Sequence, residues 1–196
     1  MPGIKPGLPH PSILICMPLP SLDFQQTYFQ LFGLTPSFQL DARSLERQYR
    51  AMQMVVHPDK FAHFPDAEQR VAMQQATFVN EAYQTLRSPL RRARYLLKLN
   101  GVDTQEETNT AMPMDFLIAQ MEWREAVIEA QQARDADVLG ELQTRMQTET
   151  GGLEAQLADK IDTEKNYAAA AELVRKLRFM EKLAEEIHAA YDAIDY

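Results

Sequence analysis

The sequence predicts an all-α protein, with a helical hairpin in its first half and a three-helix bundle in its second. Apolar residues recur three and four positions apart in several segments, which is the period of an amphipathic helix. From Asp115 onward there is neither the alternation typical of strands nor a hairpin turn between apolar runs. With 196 residues, of which 45% are hydrophobic, the chain is long enough for one large domain or two small ones.

The first helix of the predicted hairpin opens at Asp41, a residue type that often caps helix N-termini. One face of this helix is apolar and carries Leu45, Tyr49, Met52 and Val56. The opposite face is basic and carries Arg43, Arg47 and Arg50. Pro58 ends the helix, because proline disfavours helical geometry at the residue before it.

The second helix of the hairpin is predicted to start at Pro65-Asp66. Its apolar positions at helical spacing are Val71, Phe78, Ala82 and Leu86. The triplet His57-Pro58-Asp59 therefore lies on the loop between two antiparallel helices. Three specified residues are weak evidence alone, and the structural alternative is an ordinary turn stabilised by Asp59. The flanking amphipathic helices favour a loop that docks on another protein.

A histidine beside an aspartate is also a residue pair of general acid–base and metal sites. His63 is the only other histidine near the triplet, and the sequence has no Gly-rich phosphate loop or nucleophile elbow. Pro58 is expected to hold its neighbours on an exposed turn rather than in a cleft. The sequence therefore predicts a protein that is not an enzyme and that carries no cofactor or metal.

The second half of the chain begins after a predicted break at Ser88-Pro89 and a further helical segment, Leu90 to Asn100, that stops at Gly101. Residues 102–114 are polar and lack periodicity, which is typical of a linker. A helix then opens at Asp115. The last helix has a heptad seam formed by Leu173, Leu177, Met180, Ala184, Ile187, Tyr191 and Ile194.

A middle helix is predicted from about Asp137 to Lys160. Its apolar positions are Val138, Leu142, Met146, Leu153 and Leu157. Gly151-Gly152 is expected to interrupt this helix and to weaken or bend it, because each glycine costs about 1 kcal/mol relative to alanine. Three helices with one seam predict a small antiparallel bundle.

The helix that opens at Asp115 is apolar on two sides. One side carries Phe116, Trp123 and Val127, and the other carries Leu117, Met121 and Ile128. On the last helix, Phe179 lies off the seam beside Leu183. A helix in a three-helix bundle meets two neighbours, so these patches are either core or a binding surface.

The order of helix, His-Pro-Asp loop and helix, preceded by Tyr28–Leu34, resembles a J-domain. J-domains stimulate ATP hydrolysis by DnaK-type chaperones. Four sequence segments further resemble the HscB family, the J-proteins of iron-sulfur cluster assembly, and the resemblance extends over about residues 24–196. These segments are residues 29–34, 57–61, 84–93 and 174–179.

The resemblance implies two partners, the chaperone HscA and the scaffold IscU. For HscA it implies a docking surface of Arg43, Arg47, Arg50, His57, Pro58, Asp59 and Lys60. For IscU it implies an apolar and acidic patch of Leu117, Ile118, Met121, Glu122, Glu125 and Phe179, with Phe179 expected to be exposed. The alternative is a J-protein that recruits general unfolded clients to a DnaK-type chaperone.

The predicted segments are a disordered extension (residues 1–22), a J-domain (23–101), a linker (102–114) and a bundle (115–196). Met17 is another candidate start of the protein. The two domains are expected to form an L-like pair. The single cysteine, Cys16, excludes an internal disulfide and a cysteine-based zinc or cluster site, and it predicts a reducing compartment, the cytoplasm. No apolar stretch approaches the roughly 18 residues of a membrane span.

The formal charge of −8 is divided unequally. Residues 1–100 hold 11 basic and 7 acidic side chains, a net +4, whereas residues 101–196 hold 9 and 21, a net −12. This division favours two surfaces with different partners, although two solvated faces are the simpler alternative. Neither half has the dense Lys/Arg cluster that nucleic acid binding requires.

Overall fold

The computed structural model describes residues 22–104 and 113–194, and the regular elements within these ranges are all helical. The first range contains α1 (Tyr28–Leu31), α2 (Ala42–Val56), α3 (Asp66–Arg87) and α4 (Pro89–Leu99). The second contains α5 (Met114–Ala133), α6 (Ala136–Ala158) and α7 (Tyr167–Ile194). A 3₁₀ turn, Pro58–Phe61, follows α2, and a π-helical turn, Asp159–Thr163, follows α6. The all-α prediction is confirmed.

Most of the predicted extension, residues 1–21, and residues 105–112 of the predicted linker lie outside the described residues. The last linker residue, Met114, is the first residue of α5. Within the described ranges, no helix is both long and apolar enough to cross a membrane.

The hairpin of α2 and α3 is held by apolar faces and by a pair of tyrosines. Asp41 caps α2 as predicted, with its carboxylate accepting a hydrogen bond of 3.1 Å from the backbone N–H of Arg43. The rings of Tyr49 on α2 and Tyr83 on α3 stack with centroids 3.9 Å apart. The Tyr49 hydroxyl also donates to the Asn80 side chain on α3, at 2.8 Å. These contacts fix the two helices that carry the intervening loop.

The predicted apolar stripe of α3 is wrong at one position. Val71 is 40% exposed, whereas Ala82 and Leu86 are fully buried. At about 100° per residue, Val71 points roughly 80° away from the centre of the face that is buried. That face consists of Ala72, Gln75, Ala76, Val79, Ala82, Tyr83 and Leu86. Three of these seven residues are alanines, and the remaining four provide the larger side chains of this buried face.

The predicted break between α3 and α4 is confirmed. The Ser88 hydroxyl accepts a hydrogen bond of 3.3 Å from the backbone N–H of Arg91, and Pro89 occupies the first helical position. The helix ends before Gly101, which has φ of 74°. A glycine adopts this left-handed conformation without the steric cost that a side chain adds.

The bundle contains the predicted heptad seam on α7, where Leu177, Met180 and Ile187 are buried. The predicted interruption at Gly151-Gly152 is wrong, because α6 continues through both glycines to Ala158. Flanking apolar side chains offset the low helix propensity of the glycines, since Met146 and Leu157 are buried on the same helix. The helix changes geometry only afterwards, in the π-helical turn.

Two apolar cores meet along α7. The first contains side chains from α1 to α4 together with the end of α6 and the first part of α7, including Leu157 and Val174. The second contains α5, the first part of α6 and the rest of α7, including Leu139 and Leu183. At about 1.5 Å per residue, the 28 residues of α7 span about 42 Å and link both cores.

Candidate functional site

The His57-Pro58-Asp59 loop is a short turn whose ionisable side chains point into solvent. Pro58 begins the 3₁₀ turn, and the backbone N–H of Lys60 donates to the carbonyl of His57 at 3.1 Å. The His57 Nδ1 atom accepts a hydrogen bond of 3.3 Å from the backbone N–H of Asp59. The side chains of His57 and Asp59 are 50% and 90% exposed. The turn therefore presents an imidazole and a carboxylate on a restrained backbone.

One contact attaches this turn to α2, and a second packs it against the rest of the connection to α3. The Lys60 ammonium donates to the backbone carbonyl of Met54, near the end of α2. Phe61 is buried, and its ring packs against that of Phe64 with centroids 5.5 Å apart. The predicted binding residues thus extend over a continuous segment from α2 through the turn.

The basic face of α2 borders an open cleft of about 630 Å³. Arg43, Arg47 and Arg50 all lie on this cleft and are exposed, as predicted. Sequence analysis did not include Arg87 of α3 and Arg92 of α4, which line the same cleft. These two arginines lie on later helices, and only the packing of α3 and α4 against α2 brings them beside the predicted set.

Glu46 lies among these arginines and orients one of them. Its carboxylate accepts a hydrogen bond from the Tyr83 hydroxyl and pairs with Arg50 Nε at 2.7 Å. The hydrogen bond from Tyr83, followed by that from Arg50, lowers the pKa of Glu46 from its ordinary value. The same bond raises the pKa of Tyr83, because the carboxylate favours the protonated phenol.

The two apolar sides of α5 have different environments. Trp123 and Val127 are buried against α6 and α7, so this side is core. Leu117, Ile118 and Met121 are 37%, 50% and 72% exposed. Glu122 and Glu125 are exposed on the same helix, and together with the three apolar residues they span an arc of about 140° around the helix axis. An apolar surface that includes Glu125 and has Glu122 at one edge therefore faces solvent, and we call it the α5 face.

The structure extends the α5 face beyond the predicted residues. Met114 is 71% exposed and Ile128 is 51% exposed, and both fall within its arc. The sequence pattern assigns Met114 to the linker and so does not reveal its position on the helix. The same pattern places Ile128 beside Met121, but the predicted site does not include it.

The expectation that Phe179 is exposed is wrong, because this residue is only 6% exposed. Its ring meets the edge of Phe116 with centroids 5.6 Å apart and an interplanar angle of 83°. The Arg124 guanidinium covers it at 5.5 Å from the centroid and also pairs with Glu186 at 3.5 Å. Phe179 therefore lies beneath α5, where an aromatic ring and a cation together remove it from water.

The sequences of other proteins identify the family. Residues 27–95 match the DnaJ domain, and residues 112–188 match the HSCB C-terminal oligomerisation domain. A co-chaperone protein HscB homolog of Azoarcus sp. strain BH72 is 50% identical over 175 residues, covering 89% of this chain and 99% of that protein. The chain belongs to the HscB co-chaperone family. The HscB homolog of Chromobacterium violaceum is 52% identical over 172 residues, 88% of this chain and 97% of the relative.

Solved HscB structures have the same fold. The chaperone HscB from Vibrio cholerae has a TM-score of 0.76 and 40% identity, covering 85% of this chain and 98% of that one. The human co-chaperone protein HscB has a TM-score of 0.82 and 29% identity, covering 94% of this chain and 93% of that one. An N-terminal J-domain and a C-terminal HscB domain are thus confirmed.

Membership of the HscB family makes this protein a J-domain co-chaperone of iron-sulfur cluster assembly. The family consists of co-chaperones rather than enzymes, and its J-domain implies a DnaK-type chaperone as partner. The described residues contain no group of three or more metal-ligating side chains placed to hold an ion. The residue assignments of the two binding surfaces stay predictions.

Proposed function

We propose that this protein raises the rate of ATP hydrolysis by the DnaK-type chaperone HscA and brings the scaffold IscU to it in the cytoplasm. The observation that carries the proposal is the presence of two exposed surfaces of different chemistry on different elements. One is the basic cleft with the His57-Pro58-Asp59 turn, and the other is the apolar and acidic α5 face. Neither is covered by another described segment of the chain.

The basic cleft suits a partner with an acidic surface. Arg43, Arg47 and Arg50 are exposed on α2 and lead toward the turn. Charges arranged in this way mainly speed the encounter and orient the partner. The turn then offers His57 and Asp59 from a backbone already fixed by Pro58 and by the hydrogen bond to His57 Nδ1. Little backbone entropy is lost on docking, which favours a specific contact.

The α5 face suits a folded protein surface that is apolar and bordered by basic groups. Ile118 and Met121 provide large apolar area, with Glu125 between them on the helix surface and Glu122 at one edge. Apolar residues enclosed by a polar rim are the usual arrangement of a protein interface. Holding IscU here while the J-domain engages HscA increases the local concentration of one partner beside the other.

The decisive experiment is steady-state ATP hydrolysis by HscA with this protein and IscU added separately and together. The proposal predicts stimulation by the pair that exceeds what the separate effects predict. Stimulation that is indifferent to IscU would contradict the role of the α5 face in holding this scaffold. The absence of any stimulation by this protein would contradict the assignment of HscA.

Replacing His57 by glutamine tests the turn within the same assay. We expect His57→Gln to reduce HscA stimulation by at least about tenfold, equivalent to about 1.4 kcal/mol, and to leave IscU binding unchanged. The matched control is His63→Gln, because His63 is also exposed and lies on the same connection. Equal stimulation by the two variants would remove His57 from the docking surface.

A general client-binding J-protein is the second candidate, and the methionines of the α5 face favour it. Met114 and Met121 are flexible, polarizable and more than two-thirds exposed, which suits a surface that adapts to many partners. This candidate predicts that the protein suppresses aggregation of several unrelated unfolded proteins. A dedicated IscU adaptor has no such effect.

A further inference from the structure

Besides the apolar core that the two domains share, one carboxylate of the C-terminal bundle binds a loop of the J-domain directly. Asp162, in the π-helical turn after α6, accepts hydrogen bonds from three consecutive residues of the loop between α1 and α2. The donors are the Ser37 hydroxyl at 2.8 Å, the Phe38 backbone N–H at 2.7 Å and the Gln39 backbone N–H at 2.9 Å. We call this set the Asp162 clamp.

Each bond of the clamp is charge-assisted, and such bonds are shorter and about twice as strong as neutral ones. Two of the donors are backbone N–H groups in a loop, where neither helix nor sheet provides an acceptor. If the carboxylate accepted only one hydrogen bond, that bond would merely replace one that the donor makes with water in the unfolded chain, and the gain in stability would be small. Three converging donors at 2.7 to 2.9 Å instead define both the position and the orientation of the loop.

The loop is also anchored from its other side. Phe38 is 3% exposed and contributes to the core that the J-domain shares with α6 and α7. The Arg92 guanidinium lies over the Phe38 ring, 5.0 Å from its centroid, and donates to the Leu86 carbonyl at 2.6 Å. Burial lowers the pKa of Arg92, whereas Glu154 and Asp162 raise it by favouring the cation. Charged groups of both domains thus surround the loop.

The position of this loop determines where α2 begins. Gln39 is bonded to Asp162, and Asp41, two residues later, is the N-cap of α2. A helix is stiff over its length, so an anchor at its first residue affects the direction of its last. The last residue of α2, Val56, immediately precedes the His57-Pro58-Asp59 turn. The clamp therefore relates the direction of the turn to the bundle that carries the α5 face.

We propose that Asp162 is a positioning residue, which fixes the orientation of the J-domain on the bundle so that a protein held on the α5 face enhances chaperone stimulation. This inference rests on the proposed function. It adds that enhancement depends on a fixed angle between the domains, and not only on their covalent attachment. A flexible attachment raises local concentration, whereas a fixed one also aligns the two bound partners.

The test uses the full chain with Asp162→Asn, which keeps the side-chain volume but removes the charge that receives all three bonds. The matched control is Asp159→Asn, which makes the same charge change at an exposed position of the same π-helical turn. Ser37→Ala removes one bond of three and serves as the milder variant if Asp162→Asn does not fold. Residual dipolar couplings of backbone amides report the orientation of the two domains.

We expect the wild type and Asp159→Asn to have the same orientation of the J-domain on the bundle, and Asp162→Asn to have a different one, while the shared apolar core still holds the domains together. In the HscA assay without IscU, Asp162→Asn should stimulate ATP hydrolysis as strongly as the wild type does. Its affinity for IscU should also be unchanged. The extra stimulation seen with both proteins should fall to the level that the separate effects predict. Ser37→Ala should lie between this variant and the wild type.

Enhancement in Asp162→Asn equal to that in the wild type would overturn the positioning role. An orientation of the J-domain on the bundle that is the same in Asp162→Asn as in the wild type would also overturn it, because the clamp would then not set that orientation. Failure of the proposed function is recognised separately. In that case the wild type itself shows no enhancement or does not bind IscU, so the result does not depend on the substitution at Asp162.

Discussion

The burial of Phe179 changes the role that this residue can have in binding a partner. Because the ring is covered by Phe116 and Arg124, a partner on the α5 face does not reach it in this conformation. Its removal still affects binding, since α5 loses the support that holds Ile118 and Met121 outward. A sequence pattern places Phe179 off the helix seam, but it does not reveal that Phe116 of a helix more than 60 residues away covers it.

We therefore expect Phe179→Leu and Met121→Ala to affect IscU binding differently. Phe179→Leu should lower the unfolding free energy by about 1–3 kcal/mol while changing affinity only slightly, because leucine still fills most of the space. Met121→Ala should leave stability unchanged and cost more than about 1 kcal/mol of binding, as hot-spot residues do. Calorimetric measurements of unfolding and binding on the same samples make the comparison. Val138→Ala, at another exposed apolar position, is the control.

A loss of affinity in Phe179→Leu as large as that in Met121→Ala, with unfolding unchanged, would mean that the ring contacts the scaffold directly. It would also require α5 and α7 to separate at this point when the partner binds. The apparent position of the ring would then be a property of the free protein alone.

Glu46 is a second residue whose behaviour depends on a contact between helices. The hydrogen bond from Tyr83 lowers its pKa, so the contact stabilises the fold above the pKa of an unfolded glutamate and is lost as pH falls through the lower folded pKa. We expect Tyr83→Phe to raise the pKa of Glu46 toward its ordinary value. Carboxyl carbon shifts followed against pH measure it.

The matched control for Tyr83→Phe is Tyr49→Phe. The Tyr49 ring stacks on Tyr83, but its hydroxyl donates to Asn80 rather than to Glu46. The control should therefore leave the pKa of Glu46 depressed. A Glu46 pKa that is the same in all three proteins would mean that the Tyr83 hydroxyl does not contribute to it.

Among the elements, α6 shows most clearly where local propensity fails. Gly151 and Gly152 predict a break, yet the helix is continuous because Met146 and Leu157, on either side of the glycines, are packed in the core. The starts of α2, α3 and α4 were predictable, since each depends on a capping or proline residue within the local sequence. The exposure of Val71 was not, because it depends on which face of α3 the neighbouring helices cover.

Replacing either glycine by alanine should stabilise the protein. A Cβ at Gly151 or Gly152 meets no atom within 4 Å, so each change should raise the unfolding free energy by about 0.5–1 kcal/mol. Gly140→Ala is the control on the same helix, because a Cβ there lies 3.3 Å from the Tyr191 hydroxyl. We expect little or no gain from it. Urea denaturation measures all three variants, and destabilisation at Gly151 and Gly152 would indicate that α6 needs a bend there.

At the scale of the whole molecule, the sequence predicts two domains connected by a polar linker, but the structure adds a core that both share. Leu157 and Val174 lie in the C-terminal half of the chain, yet they pack in the same cluster as Leu45 and Leu86 of the J-domain. Helical periodicity identifies Leu45, Leu86 and Leu157 as buried or interfacial positions, whereas Val174 lies beside the predicted seam of α7. Periodicity carries no information about which buried faces meet, because that depends on contacts between residues more than 70 positions apart.

The shared core predicts that the two domains lose structure together. Leu157→Ala should lower the unfolding free energy by about 2–5 kcal/mol. The opening free energy that hydrogen exchange measures for the amides of α4 in the J-domain should fall by the same amount. Leu139→Ala is the matched control, because Leu139 is equally buried on the same helix but belongs to the core around α5. Its effect should fall mainly on α5 and the second half of α7. Native-state hydrogen exchange resolves the two patterns. If Leu157→Ala left α4 as protected as in the wild type, the J-domain would be an independent folding unit, and the orientation of the two domains would depend on the Asp162 clamp without support from the core.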